Sequence, residues 1–174
     1  TRELEADYDV VMLDARGHGG SSRIKAGEVV SPATDIREAT EQLGLEAVLL
    51  MGHSVGARAM AMFANEYPDK ARKLVLEDPP LLAPAASPVL SAKRLAGFAK
   101  QVEKFRLMTE AEIVVMGRQQ SHTWHEDEFP AWAASKKQVD AGVVGNLQFG
   151  PWQETIDRIT APTLLVYGDA DKGG

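Results

Sequence analysis

The sequence predicts an α/β fold in which a mostly parallel β-sheet is flanked by helices. Four short apolar runs, at residues 8–13, 47–51, 73–78 and 162–167, have the length and composition of buried strands. Stretches with helical spacing of apolar residues separate them, and this alternation is typical of parallel strands joined by helical crossovers. Each run ends in polar residues, which then share the edge of the sheet where α/β proteins bind their ligands.

Composition limits the class of protein. The 174 residues are 44% hydrophobic and 25% charged, as in one ordinary globular domain. A net charge of −6 argues against nucleic acid or an anionic membrane as a partner, because both require a basic surface. Without cysteine there is no disulfide and no thiolate ligand or nucleophile. We therefore expect no nucleic-acid partner, no membrane segment and a cytoplasmic location.

Local signals define the first strand and the first helix. The run 8–13 ends at the glycine-rich turn 14–21, whose glycine spacing matches neither a dinucleotide-binding loop nor a Walker loop. Ser31 and Pro32 predict a helix start, with serine as the N-cap and proline at the first helical position. Apolar residues then recur at helical spacing as far as Gly44, which suits the end of a helix.

The segment Gly52-His53-Ser54-Val55-Gly56 is the centre of the chain. It follows the apolar run 47–51 and precedes a helix predicted at 57–67, so a serine lies at the apex of a strand-to-helix turn. Glycines on either side allow the backbone to reverse within a few residues and hold the serine strained and exposed. This arrangement predicts a nucleophile elbow.

Residues 81–150 contain no convincing strand. Helices are predicted near 91–106, 109–120 and 126–141. The large apolar residues of this section either form the core of a helical insertion or line the roof of a pocket, and the sequence leaves both interpretations open. A short helix at 151–159 then leads into the last apolar run.

With these elements in chain order, the sequence resembles the α/β-hydrolase fold family. Three segments carry the resemblance: Asp14-x-Arg16-Gly17-x-Gly19-x-Ser21, the elbow at Gly52–Gly56, and Pro162-Thr163-Leu164-Leu165-Val166-Tyr167-Gly168-Asp169-Ala170-Asp171. The resemblance covers residues 8–80 and 151–171. It implies a hydrolase core formed by residues 1–80 and 151–174, interrupted by a helical cap at 81–150.

The resemblance also implies parts that these residues do not contain. Members of the family use a Ser-acid-His triad in that chain order. The catalytic histidine should follow the acid, and we expect it beyond Gly174. An early strand and the second oxyanion donor should precede Thr1, and in the family that strand lies between the strands formed here by 8–13 and 47–51. We therefore expect a fragment, inactive alone, of a protein of roughly 250 residues or more.

Site roles follow residue by residue from the resemblance. Ser54 is the nucleophile, and the backbone N–H of Val55 is an oxyanion donor at the start of the helix. Asp171 occupies the family's common acid position and is preferred, while Asp78, at the end of the strand after the elbow, is the rival. Other side chains that end predicted strands are Asp14, Arg16 and Asp169, and the candidate substrate contacts are His53, Trp124 and Trp132.

The leading hypothesis is a serine hydrolase that cleaves an ester, lactone or related acyl bond of a small apolar substrate through an acyl-enzyme. The alternative is a non-catalytic small-molecule receptor on the same fold. A cofactor-free haloperoxidase-like enzyme, an iminopeptidase and a C–C hydrolase also stay open. We expect no cofactor and no metal, because there is no His-Glu-x-x-His helix or other matched ligand set.

Overall fold

A three-stranded parallel sheet is the frame of the protein in the computed structural model. The structure describes residues 3–25, 28–80, 88–143 and 152–168, with only the backbone of residues 88–92 and 94. The strands are β1 (Val48–His53), β2 (Ala71–Glu77) and β3 (Thr163–Val166), in that order across the sheet. Both neighbouring pairs are parallel, which confirms the predicted sheet and three of its four predicted strands.

Six helices accompany these strands in the described ranges. They are α1 (Pro32–Gln42), α2 (Val55–Glu66), α3 (Pro88–Leu107), α4 (Glu110–Gln120), α5 (Glu128–Lys136) and α6 (Trp152–Ile156), with a 3₁₀ turn at Pro68–Lys70. Helix α1 begins as predicted, because the Ser31 side chain accepts a hydrogen bond from the Thr34 N–H at 3.4 Å. Helix α5 is shorter than the predicted 126–141 and ends at its C-cap, Lys137. None of these helices combines the length and apolar character needed to span a membrane.

The predicted first strand at 8–13 is wrong. These residues form no strand, and Val11 and Met12 are 54% and 78% exposed. An apolar run becomes a strand only when a neighbour completes its ladder of backbone hydrogen bonds, and no described strand pairs with this run. The residues have the right composition for a strand and lack a pairing partner in the described chain.

The last strand forms as predicted, but its predicted burial is wrong. Every residue of β3 is exposed, including Leu164 at 59% and Leu165 at 47%. The strand lies at the edge of the three-stranded sheet and has β2 as its single neighbour there. The opposite edge strand, β1, likewise leaves Met51 59% exposed.

The main core lies between one face of the sheet and helices α1 and α2. Its fully buried large residues include Phe63 of α2 together with Leu74 and Leu76 of β2, each at most 1% exposed. Small residues on α2 let the helix approach the strands closely, since Ala57 and Ala61 are both 0% exposed. This packing fixes α2, and therefore its first residues, against β1 and β2.

A second core lies within the helical section, which is the name we give to residues 88–143. It is built from Phe105, Ile113 and Ala133, with Trp132 packed against them. The Lys137 ammonium joins two of its helices by donating to three backbone carbonyls at the end of α3, those of residues 105, 106 and 108. A cation at a helix C-terminus also interacts favourably with the helix dipole.

Asp140 connects the helical section to the loop that follows residue 13. Its carboxylate accepts from the Ile24 N–H at 3.0 Å and lies 3.5 Å from Arg23 Nη1 and 3.7 Å from Arg106 Nη2. Its own N–H donates to the Gly17 carbonyl at 2.8 Å. Arg23 in turn donates to several carbonyls of the same loop, including that of Gly19 at 2.7 Å. The loop is therefore held by its own arginine and by the end of the helical section.

Candidate functional site

Ser54 lies at the junction of β1 and α2 in a backbone conformation that few non-glycine residues adopt. Its φ and ψ angles are 51° and −121°, and positive φ costs a residue with a Cβ of order 1–3 kcal/mol. The surrounding sheet holds this conformation, since the Ser54 N–H donates to the Glu77 carbonyl on β2 at 2.8 Å. The strand-turn-helix context predicted from the sequence is therefore present.

The two glycines of the elbow have different functions. A Cβ on Gly52 would lie 2.6 Å from the Ala57 nitrogen and 2.6 Å from the Gly56 carbonyl carbon, and these are backbone atoms that cannot move aside. A Cβ on Gly56 would meet nothing within 4 Å. The sequence interpretation, which gave both glycines the same steric function, is therefore right for Gly52 and wrong for Gly56.

The Ser54 hydroxyl is not used to cap the helix that begins after it. Val55 is the first residue of α2, and the first four N–H groups of an α-helix have no partner within the helix. The helix dipole adds partial positive charge at the same point. A hydroxyl that does not cap the helix thus lies beside the Val55 N–H, a backbone donor without a partner within the helix.

Asp78 is the second strained residue at this edge. It has φ = 43°, and its N–H donates to the Val166 carbonyl on β3 at 2.8 Å. Because His53 of β1 pairs with Glu77 of β2, Ser54 and Asp78 follow paired residues on strands roughly 5 Å apart. Loss of hydration, with a smaller contribution from the negative charge of Asp78, raises the pKa of Tyr167, which follows β3.

The preferred acid, Asp171, lies outside the described residues, as does Asp169. Among the histidines, His53 ends β1 and is exposed, while His18 places Nδ1 3.3 Å from the Arg16 carbonyl oxygen. His125 contacts Asp127 on the exposed surface of the helical section. No histidine of the described ranges hydrogen-bonds to Ser54.

Two side chains predicted at the ends of the strands have structural partners instead. The Asp14 carboxylate accepts from the Gly20 N–H at 3.0 Å, across the loop. Arg16 donates to Glu28 and to Asp35 of α1, each at 2.7 Å. The hydrogen bond to Glu28 raises the pKa of Arg16, whereas burial raises the pKa of Asp35 despite the arginine. These residues fix the loop on α1.

The two tryptophans predicted as substrate contacts belong to the aromatic cluster of the helical section. Trp124 stacks on Phe129 and meets Trp132 edge-on, both with ring centroids 6.1 Å apart. Trp132 also lies edge-on to Phe105 and packs over Gly117. Trp124 is 46% exposed and keeps a free face, whereas Trp132 is largely enclosed.

Sequence reasoning missed one buried cation close to the elbow. Arg58, four residues after Ser54, is 2% exposed on the inner side of α2. Burial lowers its pKa. The signal in the sequence was a single arginine in a stretch of small apolar residues, where a charged side chain needs a specific partner.

No group of three or more histidine, aspartate or glutamate side chains is arranged in the described ranges so that it could hold a metal ion.

An open apolar pocket of about 440 Å³ lies between α6 and β3, lined by Leu76, Trp152, Ile156, Ile159, Ala161, Thr163, Leu165 and Tyr167. Its lining is suited to apolar groups rather than ions.

A family model described as "alpha/beta hydrolase fold" matches residues 2–173. Among characterised proteins, the chain is 27% identical over 190 aligned positions to a 2-hydroxy-6-oxononadienedioate/2-hydroxy-6-oxononatrienedioate hydrolase of Klebsiella pneumoniae, with 97% of this chain and 62% of the relative covered. It is 35% identical over 96 positions to the 2-(acetamidomethylene)succinate hydrolase of Mesorhizobium japonicum, with 54% and 34% covered.

A solved structure shows the same architecture. The thermophilic esterase of Thermogutta terrifontis superposes with a TM-score of 0.64 at 21% identity, over 96% of this chain and 64% of the esterase. At that identity the likeness shows the fold alone. The chain thus spans about two thirds of the length of these proteins or less.

Proposed function

The chain belongs to the α/β-hydrolase fold family, and on that premise we propose that it carries the nucleophile of a serine hydrolase. The substrate class is an ester, lactone or related acyl compound with small apolar groups. The observation that carries this proposal is Ser54, held at φ = 51° between β1 and α2 with its hydroxyl free of capping bonds. Strain of this kind, retained at a strand-to-helix turn, supports a functional role.

In the proposed mechanism the Ser54 oxygen attacks the substrate carbonyl carbon while a general base takes its proton. The carbonyl oxygen becomes an oxyanion, which the Val55 N–H stabilises together with the dipole of α2. The tetrahedral intermediate collapses, the alcohol leaves with the proton, and an acyl-Ser54 ester forms. Water activated by the same base then releases the acid and restores Ser54.

We assign the base to a histidine outside these 174 residues, because the family order places it after the acid. The acid that orients it is proposed to be Asp171, with Asp78 as the rival. Asp78 is favoured by its position at the end of the strand next to Ser54 and by its strained φ. Asp171 is favoured because it occupies the family's common acid position. Asp→Asn variants of each in the intact protein decide between them: the true acid loses about 10⁴-fold in turnover, and the other keeps near-normal turnover.

Ester hydrolysis by the intact protein tests the function. We expect turnover of p-nitrophenyl acetate or butyrate, and Ser54→Ala should lower kcat by at least about 10³-fold. Ser135→Ala is the matched control, since that hydroxyl donates to the Trp132 carbonyl on the exposed side of α5. Ester turnover that survives Ser54→Ala contradicts the proposal. A small molecule bound tightly and recovered chemically unchanged, with no turnover, indicates the receptor alternative.

A further inference from the structure

Arg58 of the elbow helix contacts the chain on both sides of the helical section, before residue 88 and after residue 143. It is the fourth residue of α2, and its N–H donates to the Ser54 carbonyl at 3.2 Å. Its side chain is 2% exposed, so its guanidinium has exchanged water for protein contacts. Burying an arginine is costly unless its partners are well placed, and the position of those partners is informative.

Two of the side-chain contacts of Arg58 lie on either side of the helical section. Nη1 donates to the Pro80 carbonyl at 3.0 Å, and the guanidinium carbon lies 5.6 Å from the centre of the Trp152 ring. Pro80 follows β2 where the chain departs towards α3, and Trp152 begins α6 where the chain returns towards β3. One side chain thus contacts both connections between the helical section and the sheet.

We propose that Arg58 is a positioning residue that fixes these two connections, which we call the neck (residues 78–80 and 152–156), relative to Ser54. The guanidinium suits this task because its planar fork donates a directed hydrogen bond while its face stacks on an aromatic ring. Lysine retains the charge and a donor but cannot do both in one plane, and methionine retains only bulk.

The far end of α6 provides an internal comparison. There the Arg158 N–H donates to the Asn65 side chain at the other end of α2, at 3.1 Å. This second bond holds α6 on α2 without Arg58. Loss of Arg58 should therefore loosen the Trp152 end of α6 and leave its attachment at residue 158 in place.

For substrates, this inference rests on the proposed serine-hydrolase function. Displacement of the neck should disturb the binding of large acyl groups more than that of small ones, because a longer acyl chain extends further from Ser54. In Arg58→Met we expect KM for a p-nitrophenyl octanoate to rise about tenfold with kcat changed less, and values for the acetate to change by less than about threefold. For Arg58→Lys, the KM for the octanoate should lie between the values for the wild type and for Arg58→Met.

Hydrogen exchange tests the structural part without requiring activity. In the intact protein, Arg58→Met should speed amide exchange in a peptide covering 152–156 by about tenfold or more, with α4 amides unchanged. Arg72→Met is the control, because Arg72 is exposed on β2. The proposal is overturned if amide exchange at 152–156 is the same as in the wild type, or if KM rises equally for the octanoate and the acetate.

Failure of the proposed function and failure of the proposed role of Arg58 can be distinguished. Ester turnover that survives Ser54→Ala removes the proposed function, and the exchange measurement still decides the role of Arg58. If the Met variant does not fold, Arg58→Lys takes its place: faster exchange at 152–156 supports the proposal, and wild-type exchange overturns it.

Discussion

The elbow and the helical section each contain a glycine in a tight contact, but the atoms facing the two glycines differ. At Gly52 of β1, an added Cβ would meet the backbone of residues 56 and 57 at 2.6–2.7 Å. At Gly117 of α4, an added Cβ would lie 2.7 Å from the Trp132 ring, which is a side chain. A ring can shift, whereas the first turn of α2 is held by the sheet. Substitution of the elbow glycine should therefore destabilise the protein far more than substitution of the glycine in the helical section.

The largest effect is expected for Gly52→Ala. Because the clash is with backbone, the first turn of α2 must move away from β1, and we expect a loss of about 3 kcal/mol or more in the free energy of unfolding. Gly56→Ala is the matched control: its Cβ enters open space within a helix, so stability should stay equal or rise by about 0.5–1 kcal/mol. Urea denaturation measures both, and equal effects would contradict the steric account.

Truncating one buried ring in each region compares the two cores. Phe63 of α2 is 0% exposed and Phe129 of α5 is 1% exposed. Phe63→Ala should cost about 3–5 kcal/mol because the sheet beneath it cannot collapse into the cavity. Phe129→Ala should cost less, about 2–3 kcal/mol, because the half-exposed Trp124 stacked on it can move inward. A larger loss at Phe129, measured by urea denaturation, would reverse the comparison.

Gly117→Ala should have a smaller effect, about 1 kcal/mol, as displacement of the Trp132 ring is offset by the better helix propensity of alanine. Adding Trp132→Phe should recover part of the loss, since the nearest atom, at 2.7 Å, is Cζ3 of the larger ring, while Phe129 Cδ1 at 3.0 Å stays in place. A double-mutant cycle by urea denaturation measures this coupling. If the two losses in the free energy of unfolding are additive, contact with the Trp132 ring is not the cause of the destabilisation by Gly117→Ala.

The smallest effect concerns the start of α4, where Thr109 and Glu112 form a capping box. The hydrogen bond from the Thr109 N–H, followed by that from its hydroxyl, lowers the pKa of Glu112 below its ordinary 4.5. The folded state therefore favours the carboxylate, and this contribution is present above pH 4.5 and lost as pH falls through the lowered pKa.

Unfolding measurements at pH 7 and pH 3 detect that contribution. Glu112→Gln should have a lower free energy of unfolding than the wild type at pH 7. This difference in the free energy of unfolding should be smaller at pH 3. The exposed Glu103→Gln on α3 serves as control and should show a smaller pH-dependent gap. A Glu112 gap that widens at low pH would contradict the assignment.

Local signals in the sequence predicted local structure well. The serine and proline at 31 and 32 begin α1, and the order of strand, Ser54 and helix is as predicted. These features depend on neighbours within a few residues, whose hydrogen bonds the sequence determines directly. The parallel pairing of β1, β2 and β3 also followed, because alternating strands and helices leave few other arrangements.

Features that depend on distant partners were not predicted. The run 8–13 has a strand's composition without a strand's neighbour, and β3 is exposed although its residues are apolar. The burial of Arg58 depends on Pro80 and Trp152, which lie 22 and 94 positions away in the numbered chain, and no local pattern indicates them. Asp171, the preferred acid, lies outside the described residues and remains a prediction.

The most direct test of the central claim is covalent labelling of the intact protein with an activated alkyl phosphonate, followed by peptide mapping. The account predicts one adduct per chain, on Ser54, and none on Ser54→Ala, because the Ser54 hydroxyl does not cap α2 and lies beside the proposed oxyanion donor, the Val55 N–H. A stoichiometric adduct on another residue, or no adduct on a folded intact protein, would contradict it.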